Sequence, residues 1–162
     1  SSRAKILSQN VERMGIKNAV VLNEYPETLA KRFAGYFDKI LVDAPCSGEG
    51  MFRKNSEEAL AEWSEENVLL CAKRQKEILK NLSSVVKEGG YLLYSTCTLR
   101  KEENEQVAQA FLASHPQFKL EAFTLPGPIG EVAEGQCTLW PQRVETDGFF
   151  IARFRREGED HA

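Results

Sequence analysis

Lys39-Ile40-Leu41-Val42-Asp43-Ala44-Pro45-Cys46-Ser47 is an almost unbroken apolar run that ends in an acid, a proline and a thiol. A short continuous apolar run is the mark of a parallel strand covered on both faces. Pro45 has no N–H for a ladder and stops it. The same pattern returns at Tyr91-Leu92-Leu93-Tyr94-Ser95, which runs into Thr96-Cys97-Thr98. Between the two lies the strongest helical signal of the chain. Ser64 is its cap, with Glu65 and Glu66 in its first turn. Val68, Ala72, Gln75, Ile78, Leu79, Leu82, Val85 and Val86 follow helical spacing, and Gly89-Gly90 reads as its stop. Strand, helix and strand in this order argue an α/β fold with a doubly wound sheet.

Outward from this unit, residues 2–14 read as a helix with Ile6, Leu7, Asn10, Val11 and Met14 on one face and Gly15 as its stop. Ala19-Val20-Val21-Leu22 reads as a short buried strand ending at Asn23-Glu24. Residues 27–34 and 56–62 are short helical pieces. A helix is expected over 102–114, before Pro116, and strand signals return at 118–123. A Gly/Pro-rich loop covers 126–136. Gly148-Phe149-Phe150-Ile151-Ala152-Arg153-Phe154 is the last strand, closing a hairpin-like pair.

The 162 residues fit one domain or most of one, with 42% apolar and 28% charged residues. No apolar run approaches the roughly 18 residues of a membrane span, so a membrane partner is not expected. The net charge of −3 is unlike that of a domain that holds nucleic acid alone. Local basic spots at Arg53-Lys54 and at Arg153, Arg155 and Arg156 read as solvated surface. The four cysteines, Cys46, Cys71, Cys97 and Cys137, form no Cys-x-x-Cys pair. Neither His115 nor His161 stands at zinc-ligand spacing from one of them, so no metal site is expected. A reduced, cytoplasmic protein is the reading this supports. Cys71 reads as a small core residue. Phe52 and Trp63 are better placed in a core than against a base.

Cys46 and Cys97 stand at the ends of two strands, where open α/β sheets do chemistry. The motifs Asp43-Ala44-Pro45-Cys46-Ser47-Gly48-Glu49-Gly50 and Tyr94-Ser95-Thr96-Cys97-Thr98 resemble those of the NOL1/NOP2/Sun family of RNA cytosine-5 methyltransferases. Met51-Phe52-Arg53-Lys54 and Glu102-Glu103-Asn104-Glu105 point to its bacterial ribosomal-RNA members. The resemblance implies a class I methyltransferase Rossmann-like sheet, S-adenosylmethionine as cofactor and ribosomal RNA as partner. It implies Cys97 as the nucleophile that adds to cytosine C6, and Cys46 as the thiol that assists release. A thiolate at C6 loads electron density onto C5, which then accepts a methyl group; this is nucleophilic catalysis. Asp43 matches the acidic residue that holds the target base and borders the methyl donor. Asn23 and Glu24 end the strand where such enzymes contact the adenine. Neighbouring strands are about 5 Å apart, so the two thiols should share one edge of the sheet, unbonded, within roughly 10 Å.

The sequence departs from the family at its start. Gly15 is the only glycine before Gly35, so the Gly-rich turn after the first strand has no counterpart, nor has the acid after the second. The expected domain is therefore partial, residues 1–156 with a frayed tail at 157–162, and lacks its first two strands. In the family order 3-2-1-4-5-7-6, those two separate the strand at 19–22 from that at 39–43. Such a fragment should bind S-adenosylmethionine weakly or not at all, and its open sheet edges should give a non-native oligomer, a swapped arrangement or disorder near the N-terminus. Two rival readings stand beside this one. One is a catalytically silent RNA-binding or structural fragment. The other is an amino-group methyltransferase, against which the thiol after Pro45 counts.

Overall fold

The computed structural model describes residues 2–47, 64–142 and 148–158. In chain order its elements are α1 (Ser2–Arg13), α2 (Pro26–Arg32), β1 (Phe37–Asp43), α3 (Glu65–Leu82), β2 (Val86–Thr96), α4 (Glu105–Ser114), β3 (Phe118–Leu120), β4 (Phe123–Leu125), β5 (Gly130–Val132), β6 (Gln136–Leu139) and β7 (Phe149–Arg156). The expected piece at 56–62, the basic pair Arg53-Lys54, Gly48, Gly50, Phe52 and Trp63 lie outside the described residues.

The main sheet has the order β1-β2-β7-β3, with β6 pairing β7 as well. It is mixed. β1 and β2 are parallel, with Val42 opposite Tyr94 and Asp43 opposite Ser95. β7 is antiparallel to β2, β3 and β6; its pairing with β3 joins two stretches expected as strands, whereas β6 was not expected. The core lies on one face of the sheet. Leu92 and Tyr94 of β2 and Phe150, Ala152 and Phe154 of β7 alternate inward against Ala72, Leu79 and Leu82 of α3 and Val107, Ala108 and Phe111 of α4. Each large side chain buried there stabilises by roughly 1.5–3 kcal/mol. Ser64 caps α3 by accepting from the Asn67 N–H at 3.0 Å.

Several expectations are corrected. The helix from Ser64 ends at Leu82, where Ser83 and Ser84 turn their hydroxyls back to the carbonyls of Lys80 and Asn81. Gly89 and Gly90 lie inside β2 instead, at an irregularity where the partner of β1 jumps from Val86 to Tyr91. Gly89 has φ +76°, and a Cβ on Gly90 would sit 2.7 Å from the Asp38 carbonyl oxygen, so the bulge needs both glycines. The expected strand 118–123 breaks at Glu121-Ala122 and supplies two short strands, of which β4 pairs β5 in a separate sheet. The expected helix 102–114 begins only at Glu105, because the side chains of Glu103 and Asn104 are committed elsewhere.

Residues 19–22 form no strand, and Val20 is 84% exposed. An apolar run becomes a strand only by pairing its backbone, and no described strand pairs with it. The parallel strand expected to be covered on both faces is an edge strand with an open outer face, on which Leu41 is 67% exposed. Leu41, Tyr91, Leu93 and Ile151 on that face line, with Phe123 and Leu125, an open cleft of about 500 Å³. α1 has the expected C-terminal stop: Gly15 at φ +69° donates to Glu12, and Ile16 donates to Val11. It buries none of its residues, and Ile6, Leu7 and Met14 face outward. Among the described residues, no helix is long and apolar enough to cross a membrane. Glu157, at the start of the tail, donates its N–H to the Gln117 carbonyl at 2.7 Å.

Candidate active site

The two cysteine loops leave the same ends of the adjacent strands β1 and β2. The ladder carries on past β1, as the Ala44 N–H donates to the Ser95 carbonyl at 3.0 Å. This delivers Cys46 to Cys97. Their Sγ atoms are 2.6 Å apart, and no disulfide joins them. The backbone N–H of Cys97 also donates to the Cys46 sulfur at 3.4 Å. Both residues are half-buried. The Cys46 side chain and burial, with the Asp43 carboxylate adding to them, push the Cys97 thiol well above the usual range.

Asp43 is the last residue of β1, exposed, opposite Ser95 and close enough to act electrostatically on Cys97. Asn23 and Glu24 are placed differently from the strand-end position expected of them, because residues 19–22 are not in the sheet. Asn23 lines a shallow cleft with Val21 and with Ala4, Lys5, Ser8 and Gln9 of α1, a set that contains neither Glu24 nor Asp43. Glu24 is exposed. The structure thus brings Cys46, Cys97 and Asp43 together, while Asn23 lies against α1. Cys71 is a buried core residue as expected, and burial raises its thiol. The basic residues of β7 are engaged locally: Arg153 and Arg155 face Glu121, and Arg156 donates to the Val86 carbonyl at 2.6 Å.

Beneath the thiols lies a polar cluster that was not assigned a role from the sequence. Glu103 is fully buried, and its carboxylate accepts from the Ser47 N–H at 2.8 Å and the Ser47 hydroxyl at 2.7 Å. Gln75 Nε2 donates to the Pro45 carbonyl at 2.9 Å and to Glu103 at 3.2 Å. Asn104, also fully buried, accepts from the Thr96 hydroxyl at 2.5 Å and donates to the Thr98 carbonyl at 2.9 Å. The Tyr94 hydroxyl donates to the Glu103 carbonyl at 2.7 Å. The available signal was a charged residue and an amide in Glu102-Glu103-Asn104-Glu105, directly before an apolar helix, where a plain cap is the usual reading.

Residues 1–155 match the family described as 16S rRNA methyltransferase RsmB/F. The chain belongs to that family. It is 38% identical over 162 residues to ribosomal RNA small subunit methyltransferase F of Vibrio vulnificus strain YJ016, covering 96% of this chain and 34% of the relative. The corresponding protein of Klebsiella pneumoniae strain 342 is 38% identical over 165 residues, covering 96% of this chain and 33% of that protein. Among solved structures, PH0851 superposes with a TM-score of 0.88 at 37% identity, over 96% of this chain and 35% of that one. NSun6 from Pyrococcus horikoshii, solved with SFG, superposes with a TM-score of 0.80 at 29% identity, over 98% of this chain and 40% of that one. The chain spans about a third of the length of the curated relatives it matches.

Because the Cys46 side chain leads the causes that raise the Cys97 thiol, Cys46→Ala should shift alkylation of Cys97 to lower pH. Iodoacetamide labelling across pH, read at Cys97 by peptide mass spectrometry, measures this. An unchanged profile would mean that Cys46 does not control the Cys97 proton.

Proposed function

We propose that this chain carries the reacting thiol pair of a methyltransferase acting on cytosine C5 of ribosomal RNA, with Cys97 as the nucleophile and Cys46 assisting release. The observation that supports this reading is the contact of two cysteines not joined by a disulfide, Sγ to Sγ at 2.6 Å, where adjacent parallel strands end. A pair so placed can face one base from one side, and membership of a ribosomal-RNA methyltransferase family supplies the reaction class.

In this reading Cys97 gives its proton to water and its sulfur bonds to C6 of the cytosine. The electrons of the C5–C6 double bond move to C5, which becomes the nucleophile. The family's S-adenosylmethionine, when bound, supplies the methyl group. Cys46 then serves removal of the C5 proton, the C5–C6 double bond re-forms, and Cys97 departs from C6. Asp43, exposed beside the thiols, accepts from the amino group of the base and fixes which edge of the ring faces Cys97. Splitting one hard substitution into addition and elimination is the advantage of covalent catalysis.

Residues 1–156 are read as part of a class I methyltransferase Rossmann-like domain whose first two strands lie outside these residues. The open edge of β1 and the unpaired segment at 19–22 support this. Among the described residues, the expected donor contacts do not form one assembled site for the methyl donor. Asn23 lines a shallow cleft against α1 and stands in coil, away from the strand end expected for a donor contact. The isolated chain should accordingly bind S-adenosylmethionine weakly or not at all, since a few polar contacts in an open site do not offset the ordering of a flexible ligand. Titration calorimetry tests this, and 1:1 micromolar binding would contradict it.

Trapping separates the two thiols. With RNA carrying 5-fluorocytosine, the complete enzyme should form a covalent protein–RNA complex that Cys97→Ala abolishes together with methylation. With ordinary RNA, Cys46→Ala should accumulate the complex because release fails. Methylation retained by Cys97→Ala would overturn the assignment. An absence of accumulated complex in a folded Cys46→Ala enzyme would overturn the role of Cys46.

A further inference from the structure

We propose that Glu103 and Asn104 are positioning residues that act as one two-headed clamp, each holding one of the two thiols. The inference rests on the reading of Cys46 and Cys97 as the reacting pair. Each cysteine is anchored on both sides. Before Cys46, the Pro45 carbonyl accepts from Gln75 at 2.9 Å; after it, the N–H and hydroxyl of Ser47 both donate to the Glu103 carboxylate at 2.8 and 2.7 Å. Before Cys97, the Thr96 hydroxyl donates to the Asn104 oxygen at 2.5 Å; after it, the Thr98 carbonyl accepts from the Asn104 amide at 2.9 Å. Glu103 thus serves the Cys46 loop and Asn104 the Cys97 loop. They are consecutive residues of one turn, so the offset between the two thiols is set by the geometry of that turn.

The residue types suit the two tasks. Ser47 presents two donors side by side, and a carboxylate accepts both with its two oxygens. The Cys97 loop presents one donor and one acceptor, and an amide matches both. A cross-brace joins the halves: the Ser47 and Thr98 hydroxyls are 3.2 Å apart. Ser47 spends its single proton on Glu103, so Thr98 is the donor to Ser47, and Thr98 in turn accepts from the Arg100 N–H at 3.3 Å. Glu103, Asn104 and Thr98 have no exposed surface, so water does not replace a lost partner there. The turn is itself tied down, because the Tyr94 hydroxyl donates to the Glu103 carbonyl. This commitment also explains why Asn104 stands at the N-cap of α4 without capping it.

A network that only supported the fold would affect both thiols alike. A clamp with separate heads affects them separately, and near-isosteric substitutions distinguish the two. Glu103→Gln turns one accepting oxygen into a donor against Ser47. Asn104→Asp turns the donor into an acceptor against the Thr98 carbonyl. In the isolated chain, alkylation by iodoacetamide should rise at Cys46 in Glu103→Gln and at Cys97 in Asn104→Asp, each on the order of 10-fold more than at the other thiol. In the complete enzyme, Glu103→Gln should slow release from the covalent complex and leave its formation within about twofold of wild type. Asn104→Asp should slow formation. Ser47→Ala and Thr96→Val, which delete one bond of each head, repeat the split if either first variant fails to fold by circular dichroism.

Equal changes at both thiols, no change, or unfolding of all four variants would overturn the clamp. A wild-type enzyme that forms no complex with 5-fluorocytosine RNA, while the alkylation split is present, would defeat the methyltransferase reading and leave the clamp standing.

Discussion

A buried carboxylate that accepts two donors from one serine is the interaction on which the site depends. Glu103 has no exposure to solvent, and Ser47 supplies its N–H and hydroxyl from the residue next to Cys46. Leaving such a group without partners costs more than the bonds themselves contribute, of the order of 1–3 kcal/mol for each polar atom orphaned and more for a charged one. The loop after β1 is therefore held in one conformation by a residue 56 positions later in the chain. The parallel pairing of β1 with β2 sets the direction of approach, and the clamp sets the final distance.

The same arrangement orders the local folding constraints. α3 contributes Gln75 to the site from the face that also carries Ala72 and Leu79 into the core. β2 contributes Tyr94 in the same way, its ring in the core and its hydroxyl on the Glu103 carbonyl. Burial raises the Tyr94 phenol, and Glu103 adds to the shift, so the hydroxyl remains a donor. Packing and positioning are thus carried by the same side chains, and a core change at Tyr94 would be felt at the thiols.

The elements at the heart of the fold were legible in the sequence because their signals are local. A short apolar run stopped by Pro45, a serine cap at Ser64 and the aromatic alternation of residues 149–154 each have a direct physical meaning. What was not legible depends on partners distant in sequence. Val20 and Leu22 have the composition of a strand, but a strand exists only with a neighbour. Leu41 reads as doubly covered, but its outer face opens onto a cleft, with the residue 67% exposed. Gly89-Gly90 has the chemistry of a helix stop, and only the register of β1 against β2 shows that it forms a bulge. Of the candidate site, Cys46, Cys97 and Asp43 were legible as strand-end residues. Glu103 and Asn104 were not, because a polar pair before a helix looks like a cap until its partners are known.

The central claim is that two thiols far apart in sequence are held face to face by the fold. Titration of the reduced, folded chain with phenylarsine oxide, a reagent that bridges closely spaced dithiols, tests it most directly. The account predicts uptake of one arsenical per chain, lost in Cys46→Ala and in Cys97→Ala and retained in Cys71→Ala and Cys137→Ala. Uptake that is absent, or that survives removal of Cys46 or Cys97, would contradict it.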